Sequence, residues 1–418
     1  MKRYNTSLTL SVQNKVKRMV PYTLFLFPAL FFVLSCGKED PRVENYPSIV
    51  ARNLNKDALV RATGMKLQES DIKPLSLIHI SDIHTKSGNY QCFKNACEFY
   101  QYYDNIVVML LTGDLVWDDN RDSMDYYNEA LKSTTKPVLN VVGNHDAGQW
   151  HVGLESVTTD KQCYDKVIAP YVSDWDVVQP TDAASKGKSY YYKDFIEQKI
   201  RLVVINEYET DFEIDPHNSS KLRYSREIRS MRQEQVTWLI ATLTNTPSDY
   251  GVVLALHQPL GLLRNEDNPF VSHDIIDNNR VFDVYSDDRE WLAKIIDAYA
   301  RKTSLALSVK QTGAVVTTLD CSCDFSSVQS EFICVMCGHI HQDYVGHLKN
   351  YPSIPILCVG ADNLQYTSDT CLREYGTQSE DLFNVVEINR NNKTIKLIRI
   401  GSEVSKTGQI RDSLLLHY

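Results

Sequence analysis

From residue 74 onward, short apolar runs alternate with amphipathic stretches. Leu75–Ile80 is a short run that stops at Ser81-Asp82 and predicts a strand. Tyr90, Phe93, Cys97 and Tyr100 recur at helical spacing, which predicts a helix over 89–103 with one buried face. Ile106–Leu111 predicts a strand covered on both faces and ends at Thr112-Gly113-Asp114. A helix is expected at 122–133, then a strand at Val138–Val142 ending in Gly143-Asn144-His145-Asp146. Ser189–Tyr192 and Arg201–Asn206 read as paired strands, and 227–244 as a helix carrying Val236, Leu239 and Leu243. Gly251–Leu256 reads as a strand ending at His257, and the polar stretch 258–286 as a long loop over one face. A helix at 287–302 is followed by a strand at Phe332–Met336, which leads into Gly338-His339-Ile340-His341. Strands at 355–359, 383–389 and 394–400 complete the pattern, with Asn391-Asn392 as turn residues. Alternating strands and helices imply a layered α/β fold, in which ligands collect at the carboxyl ends of strands.

The N-terminus follows other rules. Residues 1–19 are basic and carry no acid, and the apolar run Val20–Leu34 is short for a membrane span. A basic head before a short apolar core reads as a secretory signal over 1–35. Val33-Leu34-Ser35-Cys36 resembles a bacterial lipobox, which makes Cys36 the expected site of lipidation. The expected location is extracytoplasmic, lipid-anchored to a bacterial membrane. Lys38-Glu39-Asp40 resembles a signal for the outer cell surface, with periplasmic exposure the alternative. Residues 36–73 are expected to form a tether and N-terminal segment, and 401–418 a C-terminal tail.

Charge narrows the partners. Without residues 1–35, which hold five basic residues, the net charge falls from −9 to −14. That disfavours extended nucleic acid held on a broad basic surface. A small anionic substrate stays compatible, because bound metal ions reverse the local field. Nine cysteines follow Cys36, and their spacing shows no small disulfide scaffold.

The strand ends collect an unusual set of polar residues: Asp82 and His84, Asp114, Asn144 and His145, His257, His339 and His341. Imidazoles with hard oxygen ligands suit zinc, iron or manganese better than calcium. A carboxylate has two oxygens and can bridge two ions, and Asp114 is the candidate. Asp82 and His84 alternate along what is expected to be extended chain, so that both can face one ion, and His339 and His341 have the same spacing, with Gly338 allowing close backbone approach.

These blocks, Asp82-Ile83-His84, Gly113-Asp114, Gly143-Asn144-His145-Asp146, His257 and Gly338-His339-Ile340-His341, together resemble the calcineurin-like metallophosphoesterase superfamily. The resemblance implies a double-layered β sandwich of mixed sheets flanked by helices over about 74–400, with 258–331 as a pocket-shaping insertion. It implies two divalent or trivalent metal ions. Asp82, His84 and His341 would hold the first, Asn144, His257 and His339 the second, and Asp114 would bridge. His145 would donate a hydrogen bond or proton at the reacting phosphate, with Asp146 orienting its ring. The implied function is hydrolysis of a small phosphate ester by a metal-activated hydroxide, with phosphodiesters slightly favoured over monoesters. A non-catalytic surface lipoprotein using the same fold for ligand binding is the alternative. A purple acid phosphatase is disfavoured: that subgroup has glycine where this chain has His84, and a ligating tyrosine where it has Trp117.

Other signals read as structural. His79, His151, His217, His273 and His347 are left out of the metal set. Cys321, Cys323, Cys334 and Cys337 could form a four-thiolate zinc site, but strand cysteines are commonly small core residues. Tyr190-Tyr191-Tyr192 reads as half-buried strand rather than a base-stacking surface. Arg264 and Arg280 could grip a second phosphate and by base rate are solvated.

Overall fold

Apolar runs that are hydrophobic on both alternating faces can only be buried on both faces, and the chain meets that demand with stacked sheets between helices. The computed structural model describes residues 48–65, 72–117, 121–146, 158–172, 174–181, 187–209, 214–215, 217–222, 230–260, 290–311, 317–348, 351–363, 373–402 and 412–418. The stretch read as a signal, 1–35, and Cys36 lie outside these residues, as do His151, His273, Arg264 and Arg280. No helix among the described residues is long and apolar enough to cross a membrane.

The main strands, in chain order, are β1 (Leu75–Ile80), β2 (Val108–Leu111), β3 (Val138–Asn140), β4 (Tyr191–Phe195), β5 (Ile200–Val204) and β6 (Gly251–Ala255). They continue with β7 (Glu331–Cys337), β8 (Tyr344–Leu348), β9 (Tyr351–Cys358), β10 (Leu382–Asn389), β11 (Thr394–Gly401) and β12 (Ser413–His417). The main helices are α1 (Gln91–Tyr102), α2 (Arg121–Leu131), α3 (Asp160–Val167), α4 (Gln233–Thr244) and α5 (Glu290–Arg301).

One sheet has the order β12-β11-β10-β1-β2-β3, the other β8-β9-β7-β6-β5-β4. In the first, β1, β2 and β3 are parallel, with Leu77 opposite Val108 and Leu110 opposite Leu139. In the second, β5, β6, β7 and β9 are parallel. Parallel strands discharge their loops at one edge, so each sheet delivers its polar strand ends together.

Alternation along single strands assigns the layers. On β5, Leu202 and Val204 enter the core shared with the first sheet, while Val203 enters the core under α4 and α5. On β6, Val253 and Ala255 face the first core, and Val252 and Leu254 the second. On β7 a register shift between Phe332 and Cys334 turns Ile333 and Cys334 to the same side. α1 covers the first sheet with Phe93, Cys97 and Tyr100, and Phe93 stacks on Tyr127 of α2 at 5.1 Å. Truncating a fully buried strand residue such as Leu110 or Leu254 to alanine costs about 2–5 kcal/mol.

The fold departs from the sequence pattern in several places. The helix expected from residue 227 starts at Gln233. Ser230 is pinned to the end of β5, donating to Glu207 O and accepting from Glu209 N, each at 3.0 Å. Within 258–331, α5 is a core layer and not an insertion, because Trp291, Leu292, Ile295, Ile296 and Tyr299 are buried against the second sheet. The segment read as a C-terminal tail returns as β12, an antiparallel edge on β11. Its alternating exposure explains why it is hard to read: one face is covered and the other meets solvent. Before β1, Ile49 and Val60 are buried in the first core, so part of the N-terminal segment belongs to the domain.

Candidate metal centre

The edge where both sets of parallel strands end gathers the polar blocks. Asp82 and His84 follow β1, Asp114 follows β2, Asn144 and His145 follow β3, His257 follows β6, and His339 and His341 follow β7. Backbone bonds fasten the loops together. Asp82 N donates to Gly113 O at 3.0 Å and His84 N to Asp114 O at 3.0 Å, while Gly338 N donates to His257 O at 2.8 Å.

The pairs Asp82/His84 and His339/His341 are not extended, contrary to the alternation expected. Their φ angles are +51°, +43°, +69° and +54°, and Asp114 stands at +52°. Left-handed backbone is unfavourable for residues with a Cβ, at about 1–3 kcal/mol each, and clusters where surrounding structure enforces it. Here it accompanies a division of labour: Asp82 and His84 meet in one cluster, whereas His341 joins that cluster and His339 the other. Two glycines permit the approach. A Cβ on Gly338 would run into Ser81 Oγ and lie 2.5 Å from Asp82 Oδ2, so only glycine lets the loop after β7 cross the loop after β1. Gly113, at φ +97°, leaves room for the His257 ring, whose Nδ1–H donates to Thr112 O at 2.7 Å. That bond selects the tautomer and leaves Nε2 facing the site.

Two clusters of ligand atoms result, each with all atoms within 4.8 Å of one another: Asp82, His84, Asp114 and His341; and Asp114, His257 and His339. Asp114 belongs to both. Its Oδ2 lies 3.6 Å from His84 Nε2 and its Oδ1 3.3 Å from His257 Nε2. In the first cluster His84 Nε2 is 3.2 Å from His341 Nε2, and His341 Nε2 is 3.2 Å from Asp82 Oδ1. In the second, Asn144 Oδ1 lies 3.0 Å from His257 Nε2 and 3.1 Å from His339 Nδ1. Ligand bonds of about 2.1 Å around one ion put neighbouring ligand atoms about 3.0–3.4 Å apart, so these spacings fit two ions. Asp82 supports the same fit: Oδ2 accepts from His339 N at 2.9 Å, while the buried Oδ1 accepts no hydrogen bond.

The electrostatics match that chemistry. Burial and the neighbouring imidazoles push His84 well below its ordinary pKa, keeping it a neutral lone-pair donor. Burial works against charge on His257 and Asp114, yet their mutual attraction wins. His257 rises to about 10 and Asp114 falls well below the carboxylate range. The field that holds a proton on His257 Nε2 would equally hold a cation.

His145 stands beside the two clusters. Its backbone N donates to Asp114 Oδ1 at 2.8 Å, its ring meets His84 edge-on at 4.6 Å, and its Nε2 is 3.9 Å from Asp114 Oδ2. Asp146 does not orient that ring. Its oxygens accept from Gly143 N at 2.7 Å and Val116 N at 3.1 Å, so it holds the loops after β3 and β2 instead. Burial and the Asp114 charge push its pKa up to about 8. Asn363, which no sequence signal marks, ties the first ligand loop down by donating to Ile83 O at 3.0 Å.

The residues left out have other partners. His79 lies 3.1 Å from Thr112 Oγ1, and burial pushes its pKa down to about 3. His217 is exposed, and exposed His347 lies with Nδ1 2.8 Å from Pro352 O. Cys334 lies in the core between the sheets and Cys337 in the outer core, on opposite faces of β7, which keeps Cys334 apart from Cys337 and from Cys321 in that outer core. The Tyr191 hydroxyl donates to Asn140 O and accepts from Asn140 N, and Tyr192 carries the Arg201 guanidinium at 4.0 Å.

Fold and site define a two-sheet α/β protein whose strand-end loops hold histidines and an amide around one shared carboxylate. The chain belongs to the calcineurin-like phosphoesterase family, whose model matches residues 75–343. A probable cyclic nucleotide phosphodiesterase from Moraxella catarrhalis is 36% identical over 76 residues, covering 17% of this chain and 27% of that relative. Among solved structures, a dimetal phosphatase from Danio rerio matches with TM-score 0.49 and 11% identity, over 84% of this chain and all of that one. A purple acid phosphatase from yellow lupin matches with TM-score 0.45 and 12% identity, over 85% of this chain and 55% of that one.

Proposed function

We propose that this protein hydrolyses phosphate esters with two metal ions of the manganese, iron or zinc type, and favours phosphodiesters. The observation that carries the reading is Asp114, whose two oxygens face two separate ligand clusters. Asp82, His84 and His341 would hold one ion, and Asn144, His257 and His339 the other. When bound, such ions neutralise the phosphate and make a water acidic enough to supply a nucleophile. The chain's own part is orientation and proton supply. Thr112 O fixes the His257 tautomer, Asp82 Oδ2 fixes the loop of His339, and Asp146 holds Gly143 and Val116. His145, with its backbone anchored on Asp114 and its side chain partly exposed, would give a proton to the leaving oxygen. The phosphodiester preference draws support from the Moraxella relative's name.

We also place the protein outside the cytoplasm, anchored through lipid on Cys36, on the strength of the basic head, the short apolar run and Val33-Leu34-Ser35-Cys36. Mass spectrometry of the membrane-derived N-terminal peptide tests this, and an unmodified Cys36 or an intact signal refutes it.

The test of the activity is reconstitution. Chelator-treated protein is reloaded with manganese, zinc or iron, its bound metal counted, and paired nitrophenyl phosphate monoester and diester substrates compared. The expected result is two ions per chain with faster cleavage of the diester. Faster monoester cleavage would reverse the ester preference, and two bound ions without any cleavage would leave a ligand-binding protein.

A further inference from the structure

One cation beside the first ligand cluster has no part in the roles above. Lys86 follows Thr85 directly and sits in the turn Lys86-Ser87-Gly88-Asn89, where Lys86 N donates to Asn89 O at 3.2 Å and Asn89 N to Lys86 O at 2.9 Å. Asn89 Nδ2 donates to Asn363 Oδ1 at 2.9 Å, and Asn363 donates in turn to Ile83 O, so the turn is braced on the loop bearing Asp82 and His84. The Lys86 ammonium is held over the Trp117 ring, 3.8 Å from its centre. Trp117 is also fixed: its N donates to Thr85 O at 3.1 Å, and its ring lies 5.5 Å from that of His84 and 6.3 Å from that of His145. The pair therefore stands on the His84–His145 side of the centre, where the leaving oxygen would depart. Lys86 is half-buried, and among the described residues no carboxylate pairs with it, in a chain of net charge −9.

We infer that Lys86, braced on Trp117, is a specificity-determining residue that favours phosphate esters whose leaving group carries a further anionic group. This rests on the phosphate-ester reading above. A fixed ammonium recognises charge, and because it lies over a face of Trp117, that face is not open to stack an aromatic leaving group. The attraction acts at a partly exposed site, so it is modest and weakens with salt.

The experiment has two arms on the full-length, metal-loaded protein. The first measures kcat/KM for a phenyl phosphate ester and its carboxyphenyl counterpart. The second measures calorimetric binding of phenylphosphonate and carboxyphenylphosphonate, neither of which can be hydrolysed. The wild type should prefer the carboxylated member in both arms. Lys86→Met should reduce the carboxylated-to-plain ratio about fivefold, chiefly in KM, Lys86→Arg should restore it, and 0.5 M salt should compress it in the wild type. A ratio unchanged in folded Lys86→Met, or a wild type without the preference, overturns the inference. A wild type that cleaves neither ester refutes the proposed activity alone, because the phosphonate arm still reports whether Lys86 reads the second charge.

Discussion

Replacing Asp114 by asparagine keeps its shape and removes the charge shared by both clusters. Its Oδ1 lies 3.3 Å from His257 Nε2. Two unit charges at that separation attract by roughly 5 kcal/mol in an effective dielectric near 20. The net rise in the pKa of His257, to about 10 from an ordinary 6.5, is what remains of the attraction after burial has opposed it, and sets the scale at several kcal/mol, about 1.4 kcal/mol per unit. The sign follows from linkage. A folded-state pKa above the unfolded one stabilises fully below pH 6.5, and the contribution drains away as pH rises towards 10. Asp114 is shifted the other way, so its half of the contribution is lost on acidification below its ordinary 3.8. Denaturant unfolding of chelator-treated wild type between pH 7 and pH 10 should therefore show stability falling by several kcal/mol relative to Asp114→Asn. The His257 ring, followed by NMR, should titrate near or below its ordinary value in the variant. Loading metal at pH 8 should release about one proton from His257 in the wild type, read from calorimetry in two buffers. A wild-type stability curve as flat as the variant's would refute the coupling and, with it, the placement of a cation at His257.

Gly338→Ala forces a Cβ onto Ser81 and the Asp82 carboxylate, so it should cost about 1–3 kcal/mol in a melt and lower bound metal per chain by elemental analysis. His145→Ala should keep both ions and lose about 10²–10⁴ in turnover of a poor-leaving-group ester, since its proposed role is proton supply rather than ligation; loss of metal instead would make it a ligand. His79 is depressed to about 3 by burial, so its neutral form supports the fold above pH 6.5 and that support is lost as pH falls towards 3. His79→Gln should flatten the acid limb of the stability curve by about 1.4 kcal/mol per pH unit in denaturant titrations, and an unchanged slope would place the ring in solvent.

Local chemistry made much of this protein legible. Strands such as Ile106–Leu111 and Gly251–Leu256 announce themselves because burial on both faces demands unbroken apolar sequence. The polar blocks stand out for the same reason: an aspartate or histidine at the end of such a run would be costly to bury without a partner. Legibility failed where the cause was not local. β12 covers only Leu414 and Leu416 in part, leaves Leu415 to solvent, and gains its place from the neighbouring β11. The start of α4 at Gln233 was set by Ser230 bonding to a strand end distant in sequence.

The amino-acid sequence by itself determined which residues are available as ligands and that they follow buried strands. Tertiary structure decided which of them meet. Parallel pairing in two stacked sheets brings Asp82 to His341 and His257 to Asn144, across gaps that no spacing rule measures. It also imposed left-handed backbone on Asp82, His84, His339 and His341, where extended chain was expected, and it sent His341 to one cluster and His339 to the other. Asp146 shows the same division. Its place beside His145 suggested a partner for that ring, but the folded loops present two backbone amides, and a buried carboxylate binds the donors that reach it.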